Sequence, residues 1–344
     1  MNSLRKILYP FSLLYGFIIS IRNTCFDLGI LESKSFDFPV IVVGNLNVGG
    51  TGKSPMIEYL IRSFESDFKT AVLSRGYARK TKGFLMASEG CTARDIGDEP
   101  YQFFRKFKNL TVAVDEKRVR GIEKLKQIKP ELELMLLDDA FQHRYVKAGF
   151  SILLTAYDDL YVDDLLLPAG NLRESVSGAR RANVVVVTKC PASLDKRKKR
   201  EIIAKLSPSF NRDIFFSTVD YDDLIINDKG DKIDMGVLNE YQVLLVTGIA
   251  NPTILEGFLR DRQVNFEPLK FSDHQFFGEK EHKAIENKFN MLSSGKKLIL
   301  TTEKDYVRSF QNVDLPVYYI PIRTRILYED EKFNNIIQNY VRQN

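Results

Sequence analysis

The stretch from Phe38 to Pro55, FPVIVVGNLNVGGTGKSP, constrains the fold of this chain more than any other. An apolar, β-branched run leads into a glycine-rich turn that ends at Gly52-Lys53-Ser54, and a helical pattern follows. This order is typical of a phosphate-binding loop (P-loop), in which backbone N–H groups and the positive end of a helix surround a phosphate. It predicts that the chain binds a nucleoside triphosphate.

The ammonium group of Lys53 is expected to reach the β- and γ-phosphate oxygens, and the hydroxyl of Ser54 is expected to ligate Mg²⁺. One position departs from the usual G-x-x-x-x-G-K-[ST] pattern, because Asn47 stands where the first glycine is expected. Asparagine tolerates left-handed backbone angles better than most residues, so the loop is still expected to form. The residues expected to bind the nucleotide are Asn47, Val48, Gly49, Gly50, Thr51, Gly52, Lys53 and Ser54.

Composition sets broad limits. The 344 residues are enough for two domains, and 44% hydrophobic with 28% charged residues indicates a globular chain. A net charge of +5 fits an anionic substrate or membrane and does not require nucleic acid. Cys25, Cys91 and Cys190 form no CxxC pair, so a reducing cytoplasm is expected, without a zinc site or a disulfide framework. The basic run Lys196–Arg200 is interpreted as a solvated helix face.

The segment from Ile7 to Ile21 contains no charged residue. It is shorter than the ~20 apolar residues that a membrane-spanning helix needs, and no small-x-small cleavage site follows it. Its apolar residues recur at helical spacing, opposite Ser12, Tyr15 and Arg22, which favours a helix lying in a membrane interface. A buried N-terminal helix is the alternative.

Short apolar runs alternate with helical patterns after this segment. Because such an alternation is typical of a parallel sheet covered on both faces, we predict an α/β fold with a P-loop NTPase-type parallel sheet. The predicted strands are Val40–Val43, Ala71–Leu73, Val112–Val114, Leu134–Leu137, Ile152–Leu154 and Val184–Val187.

We expect four segments: an N-terminal membrane-associated helix (1–34), a P-loop core (35–213), a β-hairpin linker (214–236) and a second, smaller α/β domain (237–344). The hairpin is expected to turn at Asn227–Gly230. The predicted strands of the last segment are Val243–Val246, Lys297–Thr301 and Val317–Ile320, with a C-terminal helix from about Glu331.

Paired aspartates end the apolar run in Leu132–Arg144, LELMLLDDAFQHR. A strand that ends in an aspartate beside the first strand of a P-loop sheet holds the Mg²⁺ shell. Either Asp138 or Asp139 could serve, because adjacent strand residues point in opposite directions. The alternative is that both acids cap the following helix.

The turn Gly97–Pro100 carries Asp98 and Glu99, which are either solvated acids or groups for chemistry. A kinase needs a carboxylate to receive the proton of the attacking hydroxyl. His274 in FSDHQFF is a second candidate, although a histidine flanked by aromatic residues is more often packed in a core.

Three stretches place positive charge after strands or strand-like runs: Ser74–Tyr77, Lys117-Arg118 and Pro168–Glu174. Arginine recognises phosphate oxygens with two parallel hydrogen bonds, although a surface salt bridge is equally consistent with each stretch. A regulatory GTPase would carry Asn-Lys-x-Asp at Val187–Pro191, where this chain has TKCP without the aspartate. The sequence therefore favours ATP over GTP.

Taken together, these motifs resemble those of one family, the tetraacyldisaccharide 4′-kinases, which phosphorylate a lipid A precursor in Gram-negative bacteria. The motifs that carry the resemblance are GNLNVGGTGKSP (44–55), LSRGYARK (73–80), GDEP (97–100), LDDAFQHR (137–144), PAGNLRE (168–174), VVTKCP (186–191) and TEKDYVR (302–308). They cover nearly the whole chain in order, and the loop with Asn47 is itself similar to that of the family.

The resemblance implies transfer of the γ-phosphate of ATP to the 4′-hydroxyl of a tetraacylated glucosamine disaccharide 1-phosphate, with ATP and Mg²⁺ as cofactors. It places Lys53 and Ser54 at the phosphates and the metal, with Asp139 and Glu99 near the metal. It implies that Asp98 acts as the base, paired with His274 from the second domain. The residues that it implies for the sugar and phosphate headgroup are Arg75, Tyr77, His143, Asn171 and Arg173.

A multiply acylated acceptor must be reached at a bilayer surface, which agrees with the interfacial helix expected at Ile7–Ile21. The expected location is the cytoplasmic face of the bacterial inner membrane, as a peripheral or monotopic protein on an anionic leaflet, with no nucleic-acid or protein partner implied. Two rival classes are a regulatory P-loop NTPase and a membrane-tethered scaffold that only senses nucleotide.

Overall fold

The computed structural model describes residues 3–249, 251–273, 275–293, 295–310 and 313–344. The chain forms two compact units, the first containing residues up to Val219 together with Thr324–Asn344, and the second containing Asp220–Arg323. The strands in chain order are β1 (Val40–Asn45), β2 (Thr70–Ser74), β3 (Leu85–Met86), β4 (Thr111–Val114), β5 (Leu134–Asp138), β6 (Phe150–Ala156), β7 (Val184–Thr188), β8 (Ile214–Tyr221), β9 (Leu224–Ile226), β10 (Lys232–Asp234), β11 (Gln242–Thr247), β12 (Phe266–Lys270), β13 (Lys297–Thr302), β14 (Val317–Ile320) and β15 (Ile322–Leu327).

The α-helices in chain order are α1 (Tyr9–Asp27), α2 (Lys53–Phe64), α3 (Ala93–Ile96), α4 (Asp98–Lys106), α5 (Arg118–Ile128), α6 (Lys196–Leu206), α7 (Thr253–Asp261), α8 (Glu279–Met291), α9 (Glu303–Ser309) and α10 (Asp330–Gln343). Short 3-10 helices cover Ser3–Leu8, Tyr161–Asp163, Val176–Arg181 and Met235–Glu240. The elements alternate along most of the chain, as in an α/β fold.

The first unit is built on a nine-stranded sheet in the order β15-β8-β7-β6-β1-β5-β2-β4-β3. The pairs from β8 through β4 are parallel, and β3 joins β4 in the antiparallel direction. All six strands predicted for this region are present, each extended by one to four residues. The predicted α/β fold with a sheet rich in parallel pairs is therefore confirmed. Its central strands are buried on both faces, which explains why they are continuously apolar.

Two apolar clusters cover the two faces of this sheet. One contains side chains of α5 and α6, and the other contains side chains of α2, α4 and α10. Phe333, Ile337 and Val341 form the buried stripe of α10 and pack in the second cluster. This packing places the last 21 residues, Thr324–Asn344, with the first unit, whereas the expected division assigned 237–344 to a second domain.

The second unit contains a six-stranded sheet in the order β10-β9-β14-β13-β11-β12. The three pairings β12–β11, β11–β13 and β13–β14 are parallel, and β9 is antiparallel to both of its neighbours, β10 and β14. The segment 214–236, expected to be a hairpin linker, contributes β8 to the first sheet and the antiparallel pair β9–β10 to the second. That pair turns at Asn227–Asp231.

Helix α1 packs on the rest of the first unit through its polar side. Pro10 lies in its first turn, where the missing N–H of proline costs no hydrogen bond. Ser12, Tyr15 and Arg22, which the sequence placed on one side of the helix, all form hydrogen bonds with the unit. These are Ser12 Oγ to the carbonyl oxygen of Leu166 (3.0 Å), Tyr15 OH to that of Arg173 (2.8 Å) and an Arg22 guanidinium nitrogen to that of Gln142 (2.8 Å).

The apolar side of α1 is uncovered. Phe11 and Phe17 are 63% and 64% exposed, and Leu13, Leu14, Ile18 and Ile21 are also exposed. The alternative of a buried apolar helix is therefore wrong, since only Ser12 and Phe26 of α1 are buried. Among the described residues, no helix has the length and apolarity needed to cross a bilayer.

The packing of α10 on the first sheet predicts a large effect of truncating Phe333, which is fully buried between the rings of Tyr59 and Phe215. Phe333→Ala should lower the free energy of unfolding by about 3–5 kcal/mol, because a cavity is left in the core. Met291→Ala, at an 85% exposed side chain, should change it by less than about 0.5 kcal/mol. Chemical denaturation measures both free energies of unfolding. If Phe333→Ala changed the free energy as little as Met291→Ala, the packing of α10 on the first sheet would be contradicted.

Candidate active site

The loop between β1 and α2 lies at the carboxyl edge of the first sheet. Gly52 has a φ of +81° and immediately precedes Lys53, the first residue of α2. Gly49 has a φ of +131°, which residues other than glycine rarely adopt. These two positions turn the chain from the strand directly into the helix. The N-terminus of α2, which favours anions, therefore opens at this edge.

Neighbouring segments hold the loop in place. The backbone N–H of Val48 donates to the carbonyl oxygen of Asn171 at 2.7 Å. On the other side, Thr188 Oγ1 donates to the carbonyl oxygen of Thr51 at 2.8 Å, and Lys189 Nζ donates to that of Gly50 at 2.5 Å. The loop shape is thus fixed by the segments that follow β6 and β7.

Asn47 fills its position for a different reason from the expected one. It does not adopt a positive φ, so its tolerance of left-handed angles is not used. Instead its side chain is 1% exposed, and its Nδ2 donates to Asp164 Oδ2 at 3.3 Å. A glycine could not make this contact, which ties the loop to the segment before Asn171.

Lys53 lies between two oxygen atoms at the start of α2. Its Nζ donates to Asn45 Oδ1 at 3.4 Å and is 3.7 Å from Asp139 Oδ1. The Lys53 side chain is largely buried, with 12% exposure. The ammonium group is therefore oriented at the loop by a neutral amide and a carboxylate.

Ser54, Glu99 and Asp138 come together beside Lys53. Ser54 Oγ donates to Glu99 Oε1 at 2.5 Å. Asp138 ends β5, and the parallel register that pairs it with Val43 of β1 brings its carboxylate next to the loop. Ser74 Oγ donates to Asp138 Oδ2 at 3.2 Å. Three of the four expected metal ligands thus gather at one point.

The carboxylate of Asp138 is buried, and among the described residues only one of its two oxygens has a hydrogen-bond partner. It is 1% exposed, and its Oδ1 is buried without a hydrogen-bond partner among the described residues. Burial, followed by the negative charges of Glu99 and Asp139, raises the pKa of Asp138 to about 7. A buried carboxylate of this kind is stabilised in its charged form by a cation.

The carboxylate of Asp139 faces Arg173. The φ of +46° at Asp139 ends the strand, and the carboxylate accepts two hydrogen bonds from the guanidinium group of Arg173, at 3.0 and 3.3 Å. Lys53 Nζ, at 3.7 Å from Asp139 Oδ1, is a second cationic neighbour. The two adjacent aspartates therefore have different partners, Asp138 on the side of Ser54 and Glu99, and Asp139 on the side of Arg173.

The oxygen atoms of Ser54, Glu99 and Asp138 fit Mg²⁺, a hard cation that binds carboxylates and hydroxyls. No three His, Cys, Asp or Glu side chains in the described part of the chain enclose a metal ion by themselves.

Asp98 is the first residue of α4 and follows Gly97, whose φ is +93°. A Cβ atom on Gly97 would lie 3.0 Å from the carbonyl oxygen of Tyr77. Only glycine therefore lets the turn before α4 approach the segment after β2 this closely. This approach brings the half-buried Asp98 and Glu99 to the same edge as the loop.

His143 is neutral at physiological pH. Burial, with added contributions from the charges of Arg118, Arg22 and Arg75, lowers the pKa of His143 to about 4. Its Nε2 accepts a hydrogen bond from the backbone N–H of Arg118 at 3.3 Å. A neutral imidazole thus lies within a group of arginines at this edge.

The other residues expected to bind the acceptor differ in exposure. Tyr77 is 81% exposed and Arg75 is also exposed, so both are open to a ligand. Asn171 is partly buried, and its Oδ1 accepts a hydrogen bond from an Arg5 guanidinium nitrogen at 3.1 Å. Arg173 is engaged with Asp139. His274 lies outside the described residues.

Sequence reasoning missed two residues that support the site. Asn45 is fully buried, and its Oδ1 accepts from Lys53 Nζ. Glu174 is 2% exposed and accepts hydrogen bonds from Gln142 Nε2 at 3.0 Å and Asn23 Nδ2 at 3.1 Å. An asparagine that ends a β-branched strand is a signal that could have identified Asn45.

Known proteins resemble this chain over nearly its whole length. A family model described as tetraacyldisaccharide-1-P 4′-kinase matches residues 4–342. The protein named tetraacyldisaccharide 4′-kinase in Flavobacterium johnsoniae is 50% identical over 345 residues, covering 100% of this chain and 99% of the relative. Its counterpart in Bacteroides thetaiotaomicron is 44% identical, covering 99% of this chain and 94% of the relative.

A solved structure also matches both units of the fold. The crystal structure of the "apo" form of LpxK from Aquifex aeolicus in complex with ATP gives a TM-score of 0.78 at 29% identity. The match covers 98% of this chain and 99% of that one. With the family model matched from end to end and relatives at up to 50% identity, the chain belongs to the tetraacyldisaccharide 4′-kinase family.

Proposed function

We propose that this chain is an ATP-dependent kinase that phosphorylates the 4′-hydroxyl of a tetraacylated glucosamine disaccharide 1-phosphate in lipid A biosynthesis. The observation that carries the proposal is the grouping of Lys53, Ser54 and Glu99, at the N-termini of α2 and α4, around Asp138 at the end of β5. Phosphoryl transfer needs little covalent chemistry from a protein, and this grouping supplies charge and positioning.

The loop at 47–54 is proposed as a P-loop for the ATP phosphates. Gly49 and Gly52 give it the backbone angles of a tight turn into a helix, and α2 directs its positive end toward the ligand. Lys53 lies 3.7 Å from Asp139 and would exchange this contact for the γ-phosphate oxygens. Lys53 would thereby stabilise the charge that develops during transfer.

Ser54, Glu99 and Asp138 are proposed to hold Mg²⁺, which would offset the negative charge of the β- and γ-phosphates. Support comes from the unpartnered Oδ1 of Asp138 and from the raised pKa of that carboxyl. Asp139, which the family resemblance placed near the metal, is assigned a second task. Through its contacts with Arg173 and Lys53 it orients the two cations of the site.

Asp98 is proposed as the general base that receives the proton of the 4′-hydroxyl. Asp98 is adjacent to Glu99, so the proposed base and a proposed Mg²⁺ ligand lie in the same turn of α4. A base at this point lies on the same edge of the sheet as Lys53 and Ser54. The pairing of Asp98 with His274 stays a prediction.

The acceptor headgroup is proposed to bind among Arg75, Tyr77, His143, Asn171 and Arg173. Arginine side chains recognise phosphate oxygens, and neutral His143, whose Nε2 accepts from Arg118, can donate a hydrogen bond from Nδ1 to a sugar hydroxyl. The exposure of Arg75 and Tyr77 leaves them accessible to a large lipid headgroup.

Helix α1 is proposed to lie in the cytoplasmic interface of the inner membrane. Its polar side is occupied by contacts with the protein, and its uncovered apolar side would enter the headgroup and acyl boundary. Arg173 lies under this helix, since its carbonyl oxygen accepts a hydrogen bond from Tyr15, and Asn171 contacts Arg5 in the 3-10 helix that precedes α1. The proposed acceptor site would therefore open next to the bilayer that carries the acceptor.

The proposal predicts stoichiometric transfer of labelled γ-phosphate from Mg·ATP to a tetraacyldisaccharide 1-phosphate in mixed micelles. Lys53→Ala should lower the rate by about 10²–10³, because it removes a positive charge that stabilises the transition state. Asp98→Asn should lower it by about 10²–10⁴, because the base is lost. Thin-layer separation of labelled lipid measures both.

The control is Lys229→Ala, at an exposed lysine in the turn between β9 and β10, which should retain the full rate. Hydrolysis of ATP at the same rate with and without the acceptor would favour a regulatory NTPase instead. An unchanged transfer rate in Asp98→Asn would refute the assignment of the base.

The exposed side of α1 generates a separate prediction. The double variant Phe11→Ser, Phe17→Ser should bind vesicles of phosphatidylethanolamine and phosphatidylglycerol at least tenfold more weakly, because burying each phenylalanine contributes about 1.5–3 kcal/mol. Co-sedimentation with vesicles measures the binding.

The matched control is Ile254→Ser on α7, an apolar side chain that is 53% exposed and belongs to the second unit. It should leave vesicle binding unchanged. Equal recovery of the double variant and the parent on vesicles would show that the uncovered side of α1 does not enter the membrane.

A further inference from the structure

Helices α2 and α4 share a polar seam that begins in the site and continues away from it. The first contact is the hydrogen bond from Ser54 Oγ to Glu99 Oε1 at 2.5 Å. One turn further along α2, Glu58 accepts a hydrogen bond from Gln102 Nε2 at 2.9 Å and contacts Lys106 Nζ at 2.8 Å. The contacts occur in the same order along both helices, so the helices run side by side in the same direction.

Helical spacing produces this arrangement. Ser54, Glu58 and Arg62 follow one another at intervals of four residues and therefore lie on one face of α2. Gln102 and Lys106 are likewise four residues apart on α4. The seam ends where the guanidinium group of Arg62 lies 5.1 Å from the ring centroid of Phe107, the residue that follows α4.

Glu58 is the centre of the seam. It is 2% exposed, and Gln102 is 5% exposed, so both are removed from water. One carboxylate oxygen of Glu58 accepts from Gln102, and the other lies 2.8 Å from Lys106 and 3.2 Å from Arg62. A buried carboxylate is tolerated only when it is paired in this way, and loss of a partner is strongly destabilising.

The seam specifies one axial position of α4 on α2. The flanking contacts are apolar, with Ile57, Ile61 and Phe103 in one cluster, and such contacts tolerate sliding. A shift of α4 by one residue would move Gln102 and Lys106 by about 1.5 Å along the axis and about 100° around it, away from Glu58. Buried polar pairs fix register in this way in other helical assemblies.

We propose that Glu58 is a positioning residue that fixes the register of α4 on α2, and with it the distance between Ser54 and the Asp98-Glu99 pair. The inference rests on the proposed function, in which these residues hold Mg²⁺ and the attacking hydroxyl. When Ser54 and Glu99 direct their oxygens to the metal, their mutual hydrogen bond is lost. The contacts of Glu58 then hold the two helix ends at the required spacing.

The test is the variant Glu58→Gln, which keeps the shape of the side chain and removes its charge. Its affinity for a non-hydrolysable ATP analogue should fall about tenfold in the presence of Mg²⁺ and stay unchanged in EDTA. The kcat of phosphate transfer should fall while the KM for the lipid acceptor is retained. Isothermal titration calorimetry measures the affinities without any turnover.

A reciprocal exchange gives the rescue. In Glu58→Gln with Gln102→Glu, the carboxylate moves to α4 and still faces an amide across the seam, four residues before Lys106. The double variant should recover most of the Mg²⁺-dependent affinity. Lys106→Met removes one partner of Glu58 while leaving its charge, and it should produce a smaller loss of the same kind.

The matched control is Glu256→Gln on α7 in the second unit. Glu256 is 5% exposed and pairs with Arg260 four residues later (3.1 Å) and with Lys270 (2.6 Å), so it has the same chemistry as Glu58. Glu256→Gln should lower the melting temperature without changing the ratio of nucleotide affinities with and without Mg²⁺.

The outcomes separate the inference from the proposed function. If Glu58→Gln and Glu256→Gln both lose stability and neither changes the Mg²⁺-dependent affinity, Glu58 is only a structural residue and the inference is wrong. The same conclusion follows if the double exchange recovers stability without recovering that affinity. If the parent protein binds Mg·nucleotide but transfers no phosphate, the proposed function fails while the binding comparison still decides the role of Glu58.

Discussion

The parallel pairing of β1 with β5 positions the candidate active site. Its register places Asp138 opposite Val43, two residues before the strand ends and the phosphate loop begins. A shift of one residue would turn the side chain of Asp138 to the other face of the sheet. Lys53, Ser54 and Glu99 are then brought to this carboxylate by the N-termini of two helices that pack on one face.

The sequence predicted the elements whose signals are local. The sequence identifies strand β1 and the turn at Gly49 and Gly52, because β-branched runs favour strands and glycines favour turns. It also identifies the paired aspartates at the end of β5. The different partners of Asp138 and Asp139 were not predictable, since they depend on a φ of +46° at Asp139 and on Arg173, 34 residues away. The role of Asn47 was misread because its partner Asp164 is distant in sequence.

The sequence pattern of α1 predicts the helix but does not predict its orientation on the protein. The periodicity identified two sides, but it does not say which side faces the protein. Here the polar side chains make the contacts, because they donate hydrogen bonds to the carbonyl oxygens of Leu166, Gln142 and Arg173. The polar seam at Glu58 was equally hidden, since its partners on α4 lie more than forty residues further along the chain.

We propose that the edge formed by β1 and β5 binds a metal–nucleotide complex through Asp138. Calorimetric titration of a non-hydrolysable ATP analogue, with Mg²⁺ and in EDTA, tests it most directly when the parent is compared with Asp138→Asn. Mg²⁺ should strengthen binding of the analogue to the parent by about tenfold or more, and the variant should lose this gain. An Asp138→Asn variant that keeps the full effect of Mg²⁺ would show that Asp138 does not hold the metal.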